Sequence, residues 1–344
     1  MAKNLKPKEL TEMLERHIVS KRYPRLWQGI PTIERTPAGR LWCSFFSGGQ
    51  REPEPGNFIL ITDSLDDGAT WSEPCAIIHM HDKTRAYDPC LWMDPYGNLW
   101  LFYNLANKNE MSFSVWAIKT CNPDSPEPAW STPAKVGFDV PFSFRLNKLI
   151  VLSTGEWILP VTWAKTTKHE HWWFPVKDQL QGVAISSDKG GSWKLHGEVK
   201  APDWALENMI VELSDGRLWM LIRTNSGFIW ESFSNDAGKN WSKANATEIV
   251  NPGVRFFIGR LKSGRILLIN TPDPKERKTL CARLSDSGNE MKFSSPGLIL
   301  DERDKVSYPD AVQSSDGRIF CVNDFERHGP GEIVLSIFSE KDMS

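Results

Sequence analysis

A glycine-centred turn between two short apolar stretches recurs six times along this chain. The turn glycines are 48 to 61 residues apart, and they are Gly39, Gly97, Gly155, Gly216, Gly264 and Gly317. Each turn links two apolar runs directly, as in TPAGRLW, LSDGRLW and SSDGRIF, which is the pattern of a β-hairpin. A hairpin repeated at this period along 344 residues predicts an all-β chain folded as a six-bladed β-propeller, with one hairpin at the heart of each blade.

A second motif, S-x-D-x-G-x-x-W, falls between successive turn glycines and supports the same number of blades. Three clean copies occupy residues 64–71, 186–193 and 234–241, and a degenerate copy has Met291 in place of the tryptophan. In a tight turn the aspartate accepts backbone N–H groups, the glycine adopts a positive φ and the tryptophan packs beneath. We therefore predict that these Asp-box hairpins stabilise the blades and do not contact a substrate.

Length and composition favour a single domain with a large apolar core. Hydrophobic residues make up 40% of the chain, and no linker or low-complexity segment interrupts it. Residues 25–344 are predicted to form the propeller, and residues 1–24 an N-terminal extension. Within this extension, a charged, amphipathic stretch at residues 6–16 predicts a short helix packed on the outside.

Charge and hydropathy argue against several classes of partner. A formal net charge of −2 does not favour nucleic acid or an anionic membrane surface. The sequence contains no apolar run of about 18 residues, so we expect no transmembrane helix. The N-terminus lacks a hydrophobic signal core, which favours a cytoplasmic location, although a secreted protein without its leader would look the same.

The six cysteines show no C-x-x-C pair and no spacing typical of metal ligands. Cys43 and Cys321 each follow a turn glycine by four residues, in blades 1 and 6, which should be neighbours when the ring closes. A disulfide between them is one interpretation. The favoured interpretation is that both are reduced, buried thiols.

Counting residues from each turn glycine predicts which side chains meet at the central funnel. Since a strand rises about 3.3 Å per residue, positions about nine or ten before the glycine and about seven after it should line the mouth. Counting back gives Gly29/Ile30, Tyr87/Asp88, Arg145/Leu146, Leu206/Glu207, Val254/Arg255 and Ser307/Tyr308. Counting forward gives Phe46, Asn104, Thr162, Arg223, Thr271 and Asp324. Five blades thus contribute an ionisable or phenolic residue to one axis, which predicts a binding or catalytic site.

The residue types in this set favour chemistry on an anionic substrate. Clustered arginines suit a carboxylate, sulfate or phosphate, because guanidinium groups offer a rigid bidentate fork. A tyrosine beside a carboxylate has a base for its proton, so its oxygen can act as a nucleophile or base. A glycosidase also needs a proton donor for the leaving oxygen.

Three stretches and the Asp boxes together resemble the sialidase superfamily, and in particular bacterial proteins with a BNR-repeat-like domain. The stretches are GIPTIERTPAGRLW, ENMIVELSDGRLWMLIRT and SYPDAVQSSDGRIF, and the resemblance covers about residues 25 to 340. It implies that Tyr308 is a nucleophile activated by Glu207. It also implies that Arg223 and Arg255 are two of three arginines that bind a carboxylate.

The chain departs from the family pattern at two places. Where the family has an arginine in an R-I-P motif on the first blade, this chain has Gly29, and the segment FSGGQREPEPGNF lacks the family's acid/base aspartate. Arg51 or Arg145 are candidates for the missing positive charge. Glu52, Glu54 and Asp88 are candidates for the proton donor.

Two further segments are predicted to bear on the site. The insert at residues 162–179 lengthens a loop on the funnel side, where His169 and His171 are expected either to cover the site or to pack on a neighbouring blade. Their spacing in H-E-H is weak for a metal ligand pair, and no third ligand is evident, so no metal is expected. Arg327, on a loop after Asp324, is a further candidate to bind an anion.

These features predict an exo-glycosidase that releases a terminal, acidic sugar from an oligosaccharide or glycoconjugate without a cofactor. One alternative is a polysaccharide lyase, in which Tyr308 or a histidine removes the proton next to a uronate carboxylate. Another is a propeller that binds glycan without turnover. The sequence leaves the sugar, the linkage and the oligomeric state open.

Overall fold

The computed structural model describes residues 14–81, 83–107, 112–137, 142–165, 179–202 and 204–343, with the backbone alone at residues 142–146. Twenty-five strands form six antiparallel sheets, so the predicted all-β, six-bladed propeller is confirmed. A short 3-10 helix, Glu340–Met343, follows the last strand. Within the described ranges no helix is long and apolar enough to cross a membrane.

The first three blades each begin at the axis and add strands outward. Blade 1 contains β2 (Gln28–Arg35), β3 (Leu41–Ser47), β4 (Phe58–Ser64) and β5 (Cys75–Ile78). Blade 2 contains β6 (Thr84–Met93), β7 (Leu99–Asn107), β8 (Ser112–Thr120) and β9 (Ala134–Val136). Blade 3 contains β10 (Phe142–Leu146), β11 (Ile150–Val151), β12 (Trp157–Ala164), β13 (Leu180–Ser186) and β14 (Lys194–Val199).

The other three blades follow the same order, except that the sixth also takes a strand from the N-terminus. Blade 4 contains β15 (Ala205–Glu212), β16 (Leu218–Thr224), β17 (Phe228–Ser234) and β18 (Asn245–Val250). Blade 5 contains β19 (Phe257–Arg260), β20 (Ile266–Asn270), β21 (Lys278–Leu284) and β22 (Leu298–Asp304). Blade 6 contains β23 (Val306–Gln313), β24 (Ile319–Phe325), β25 (Glu332–Phe338) and β1 (Glu15–Lys21).

The six turn glycines close the innermost hairpins, as predicted. All of them have φ between +85° and +106°, a range that a residue with a Cβ adopts only with strain. Because the strands alternate in direction, these turns mark one face of the ring, and the starts of the inner strands mark the other. The candidate site lies on the second face.

The N-terminal strand corrects the predicted domain boundary. Of the helix predicted at residues 6–16, residues 6–13 lie outside the described ranges, and Glu15 and Arg16 begin β1 instead. This strand pairs antiparallel with β25, with His17 opposite Leu335, so the propeller begins well before residue 25. An outermost strand buries few side chains, here mainly Val19 and Ser20, and its charged sequence therefore lacks the apolar alternation that predicts an inner strand.

The Asp boxes form the predicted hairpin turns. In the first copy, the N–H of Thr70 donates to Asp66 Oδ1 over 2.9 Å, and the Trp71 indole donates to the Gly68 carbonyl over 3.0 Å. Each clean copy joins the last two strands of its blade, on the face that carries the turn glycines. The boxes therefore lie on the face opposite the candidate site.

We expect acid to weaken the fold partly through these turns. Backbone and side-chain hydrogen bonds lower the pKa of Asp66, Asp188 and Asp236 to about 2. A carboxyl whose pKa is lower in the folded state stabilises the fold above its unfolded value, and that contribution is lost as the pH falls from about 4 to about 2. Asp188→Asn should therefore lower the Tm at pH 7 more than at pH 2.5, as measured by circular dichroism. An equal deficit at both pH values would contradict this account.

All six cysteines are free thiols, so the prediction of reduced cysteines is confirmed. Cys43 and Cys321 are both buried, as are Cys90 and Cys281, whereas Cys75 is exposed. Burial, followed by the nearby charge of Asp310, raises the pKa of Cys90 to about 12. Buried thiols of this kind contribute apolar packing and are chemically inert.

Candidate active site

In four blades of the described structure, the innermost strand has a bulge with a left-handed residue at its funnel end. One residue in each bulge has a positive φ although it is not glycine: Ile30 (57°), Asp88 (47°), Glu207 (53°) and Tyr308 (57°). The strand register shifts beside each of them. A left-handed backbone costs a residue with a Cβ roughly 1–2 kcal/mol, and such strain is typical of functional sites.

These bulges occupy the positions predicted by counting from the turn glycines. Just before each bulge, the ladder pairs two counted residues: Gly29 with Phe46, Tyr87 with Asn104, Leu206 with Arg223, and Ser307 with Asp324. At each bulge two residues of the inner strand then oppose one residue of its partner, after which the pairing resumes. Equivalent positions in different blades therefore meet around one funnel.

Neighbouring blades hold the bulges in place. The N–H of Glu207 donates to the Thr162 hydroxyl over 3.2 Å, and the Asn147 side chain donates to the Glu207 carbonyl over 2.9 Å. On the other side of the funnel, Asp324 accepts from the Ser307 hydroxyl at 2.6 Å and from the N–H of Ile30 at 2.8 Å. These bonds fix the backbone on which Glu207 and Tyr308 stand.

Tyr308 and Glu207 share one arginine. Nη1 of Arg223 donates to the Tyr308 hydroxyl oxygen over 2.9 Å and to the Glu207 carboxylate, while its Nε donates to the Gly253 carbonyl over 2.8 Å. Tyr308, Glu207 and Arg223 are all buried. Burial opposes the charge of Arg223, but Glu207 and Tyr308 more than compensate, so the pKa of the guanidinium is raised.

Among the described side chains, four arginines surround the ring of Tyr308, and we call them the arginine cluster. Their guanidinium carbons lie 4.3 to 5.7 Å from the ring centroid, in the order Arg327, Arg255, Arg223 and Arg277. Arg255 donates from Nη2 to the Pro31 carbonyl over 2.8 Å. Its buried Nε has no hydrogen-bond partner in the described part of the chain. The cluster thus places positive charge beside the tyrosine oxygen and leaves donors available to an anion.

The three candidate proton donors, Glu52, Glu54 and Asp88, lie in different surroundings. Glu52 accepts from Nη1 of Arg327 over 2.6 Å, which brings it to the edge of the cluster. Glu54 instead accepts from the N–H of Gln50 at 2.7 Å, within its own loop. Asp88 is buried at the bulge of blade 2. Glu52 and Asp88 therefore remain candidates, whereas Glu54 has a local structural role.

Arg51 does not supply the positive charge that position 29 lacks. Its loop turns the side chain toward solvent, so that it is 73% exposed. Its Nε lies 3.9 Å from Oε1 of Glu54. The other residue predicted for that role, Arg145, lies at a bulge in β10, but its side chain is outside what the structure describes. His169 and His171 also fall outside the described residues.

Two residues at the funnel, Arg277 and Trp204, were not predicted from the sequence. Arg277 lies on the loop between β20 and β21, and burial together with the charges of Arg223 and Arg327 lowers the pKa of its guanidinium. Trp204 precedes β15, and its ring centroid lies 4.6 Å from the Arg223 guanidinium carbon. Both stand on loops, whose paths are not fixed by the strand rise on which the counting depends.

A separate cavity of about 270 Å³ opens near the inner turns, with Lys148, Glu34 and Arg260 in its lining. The Lys148 ammonium lies 3.0 Å from Glu34 and 3.1 Å from Asp310. Arg260 is likewise paired, at 2.7 Å from Glu290. In the described ranges Lys148 and Arg260 have no buried nitrogen without a hydrogen-bond partner, whereas Arg255 has one, so the cavity offers a weaker case for ligand binding than the funnel.

Comparison with known proteins places the chain in a family. The model of the BNR repeat-like domain matches residues 39–321, which is most of the sequence. The chain belongs to the BNR repeat-like family. This match confirms the predicted BNR-repeat domain, and the solved structures below, sialidases among them, share its propeller fold. No curated protein matches the sequence at a significant level.

Several solved structures share the fold of this BNR-repeat protein. A protein of unknown function from Dyadobacter fermentans is 17% identical, with a TM-score of 0.77 covering 94% of this chain and 98% of that one. The Hadza microbial sialidase Hz136 is 17% identical, with a TM-score of 0.75 and coverages of 93% and 67%. An intramolecular trans-sialidase from Ruminococcus gnavus, in complex with oseltamivir carboxylate, is 13% identical, with a TM-score of 0.72 and coverages of 95% and 97%. At these identities the likeness establishes the fold, and the chemistry must be argued from the site.

Proposed function

We propose that this BNR-repeat propeller is an exo-glycosidase that releases a terminal, acidic sugar from a glycan. The observation that carries the proposal is the position of Tyr308, which shares Arg223 with Glu207 and is surrounded by four arginines. A buried phenol among guanidinium groups is suited to attack a carbon that gains positive charge in the transition state. The arginine cluster is suited to the anionic group of the same sugar.

The first chemical step joins Tyr308 to the sugar. The phenolic oxygen attacks the anomeric carbon, and Glu207 accepts the phenolic proton. The bond from the anomeric carbon to the leaving oxygen breaks, and that oxygen takes a proton from Glu52 or Asp88. Water then attacks the anomeric carbon and gives a proton to the deprotonated acid, while the bond to Tyr308 breaks and the phenolic oxygen takes its proton back from Glu207.

The arginine cluster would select acidic sugars and hold them in place. Arg255 carries a buried Nε without a partner in the described ranges, and a carboxylate could accept from it. A hydrogen bond to a charged group contributes about 1.5–3 kcal/mol. A neutral sugar would leave these donors buried and unpaired, which costs a comparable amount.

The proposal is tested by product analysis on a panel of glycans that end in sialosides, uronosides or neutral hexosides. We expect the protein to release a free sugar from an acidic glycan and to leave the neutral ones intact. Arg255→Ala should lower kcat/KM for that acidic glycan about 10- to 100-fold through the lost charged hydrogen bonds. Arg318→Ala is the matched control, because Arg318 lies on the opposite face and pairs with Asp316.

Other products would contradict the assignment. An unsaturated product that absorbs in the ultraviolet would show elimination, and therefore a lyase. Binding of an acidic glycan that stays intact would show a recognition propeller. If neither turnover nor binding of any acidic glycan occurred, the funnel would not be an anionic sugar site.

A further inference from the structure

The space beside Gly29 is filled by an arginine from another blade. A Cβ at this position would lie 2.7 Å from Nε and 2.8 Å from Cδ of Arg327, and 2.9 Å from a carboxylate oxygen of Asp324. Side-chain carbons do not approach other heavy atoms this closely. The φ of Gly29 lies outside the left-handed range, so the backbone itself does not require glycine. What excludes a side chain at position 29 is the place that Arg327 occupies.

Arg327 is held where it can face both the tyrosine and an anion. Its Nε donates to Asp324 over 2.8 Å and its Nη1 to Glu52 over 2.6 Å. The guanidinium carbon lies 4.3 Å from the ring centroid of Tyr308. Its third nitrogen, Nη2, is buried and has no hydrogen-bond partner among the described residues. A buried guanidinium N–H without a partner is costly, and an anion would satisfy it.

The carboxylate of Asp324 lies where a cation from either the first or the sixth blade can reach it. Its carboxylate is fixed by the Ser307 hydroxyl and by the N–H of Ile30, and it lies beside both Arg327 and position 29. A cation that extends from β2 or from the loop after β24 would therefore meet the same carboxylate. Only one of the two fits, because the Cβ of one would overlap the side chain of the other.

We propose that Arg327 supplies, from the sixth blade, the cation that the first blade lacks at position 29, and that its Nη2 binds the anionic group of the sugar. The inference rests on the proposed function, since it names a residue of that same site. It assigns Gly29 and Arg327 as a linked pair, in which the glycine creates the space for the arginine. The contact with Glu52 further joins this cation to a candidate proton donor.

The proposal is tested with Arg327→Ala, Gly29→Arg and the double variant Gly29→Arg/Arg327→Ala. The probes are free glucuronate and free N-acetylneuraminate, each compared with its methyl ester by calorimetry, and Tm is measured for every variant. Arg327→Ala should weaken binding of the free acid at least about 10-fold, which corresponds to one charged hydrogen bond. It should leave binding of the ester unchanged. The double variant should recover most of the acid binding and the Tm, while Gly29→Arg alone should lower the Tm through overlap with Arg327.

Arg318→Ala, on the opposite face, is the control and should bind the acid like the wild type. Unchanged acid binding by Arg327→Ala would overturn the role of Arg327 while leaving the proposed function intact. A double variant that recovers Tm without recovering acid binding would show that Arg327 only balances Asp324, and would also overturn it. If the wild-type protein bound neither acid, the proposed function itself would fail and the anion-binding role with it.

Discussion

Replacement of Tyr308 by phenylalanine should lower kcat/KM for the acidic glycan by about 10³-fold or more, a loss of the size expected for an essential nucleophile with its base. The substitution removes the oxygen that would bond to the anomeric carbon and keeps the ring that the arginine cluster surrounds. Arg223 retains its contacts with Glu207 and the Gly253 carbonyl. The loss should therefore appear in kcat, with little change in the affinity for a free acid sugar.

The matched control is Tyr96→Phe, because Tyr96 is an exposed tyrosine beside the turn of Gly97 on the opposite face. It should leave kcat/KM unchanged. Turnover by Tyr308→Phe at the wild-type rate would rule out Tyr308 as nucleophile. A burst of leaving-group release in the wild type, and no burst in the variant, would indicate a covalent intermediate on Tyr308.

Lys148→Met should be the most damaging stability change, at about 3–5 kcal/mol of the free energy of unfolding. Lys148 is the cation between the buried carboxylates of Glu34 and Asp310, and it also donates to the Ile33 carbonyl over 2.5 Å. Methionine retains much of the volume but leaves two negative charges buried without a cation. Denaturant unfolding at pH 7 measures the effect.

The loss of stability in Lys148→Met should become smaller at lower pH, because Glu34 is buried. Burial raises the pKa of Glu34 and Lys148 lowers it, with burial the larger effect. Without Lys148 the folded state binds protons more readily still, so the variant should recover stability as the pH is lowered from neutrality toward the ordinary pKa of a glutamate. Lys278→Met is the control, since its pairs with Asp273 and Glu276 are exposed and worth less than about 1 kcal/mol. A loss below that value in Lys148→Met would contradict a structural role for the ion pairs.

The sequence predicted which residues meet at the funnel because the inner hairpins are regular. Strand rise and turn position are set by backbone geometry, so counting from Gly216 and Gly317 reaches Glu207 and Tyr308 without any knowledge of side-chain contacts. The bulges fall one step beyond the last paired residues, within the error of such a count. Arg223 was found in the same way from the returning strand.

Counting residues from a turn glycine does not predict side-chain positions where the chain leaves the β-ladder. Arg277 and Trp204 stand on loops, and no periodic signal fixes where their side chains point. Arg51 was a reasonable candidate by charge and position, yet its loop turns it to solvent. The link between Gly29 and Arg327 spans nearly the whole chain and depends on distances of under 3 Å, which only packed side chains reveal.

The strand β1 ties the beginning of the chain to the sheet that carries Tyr308, Asp324 and the approach to Arg327. During synthesis on a ribosome, this strand must remain unpaired until β25 has emerged, with its hydrogen-bonding groups open to other partners. The sheet of blade 6 is complete only when the two ends of the fold meet. A chain clipped between β1 and β2 would therefore be able to lose β1 and leave the outer edge of β25 unpaired.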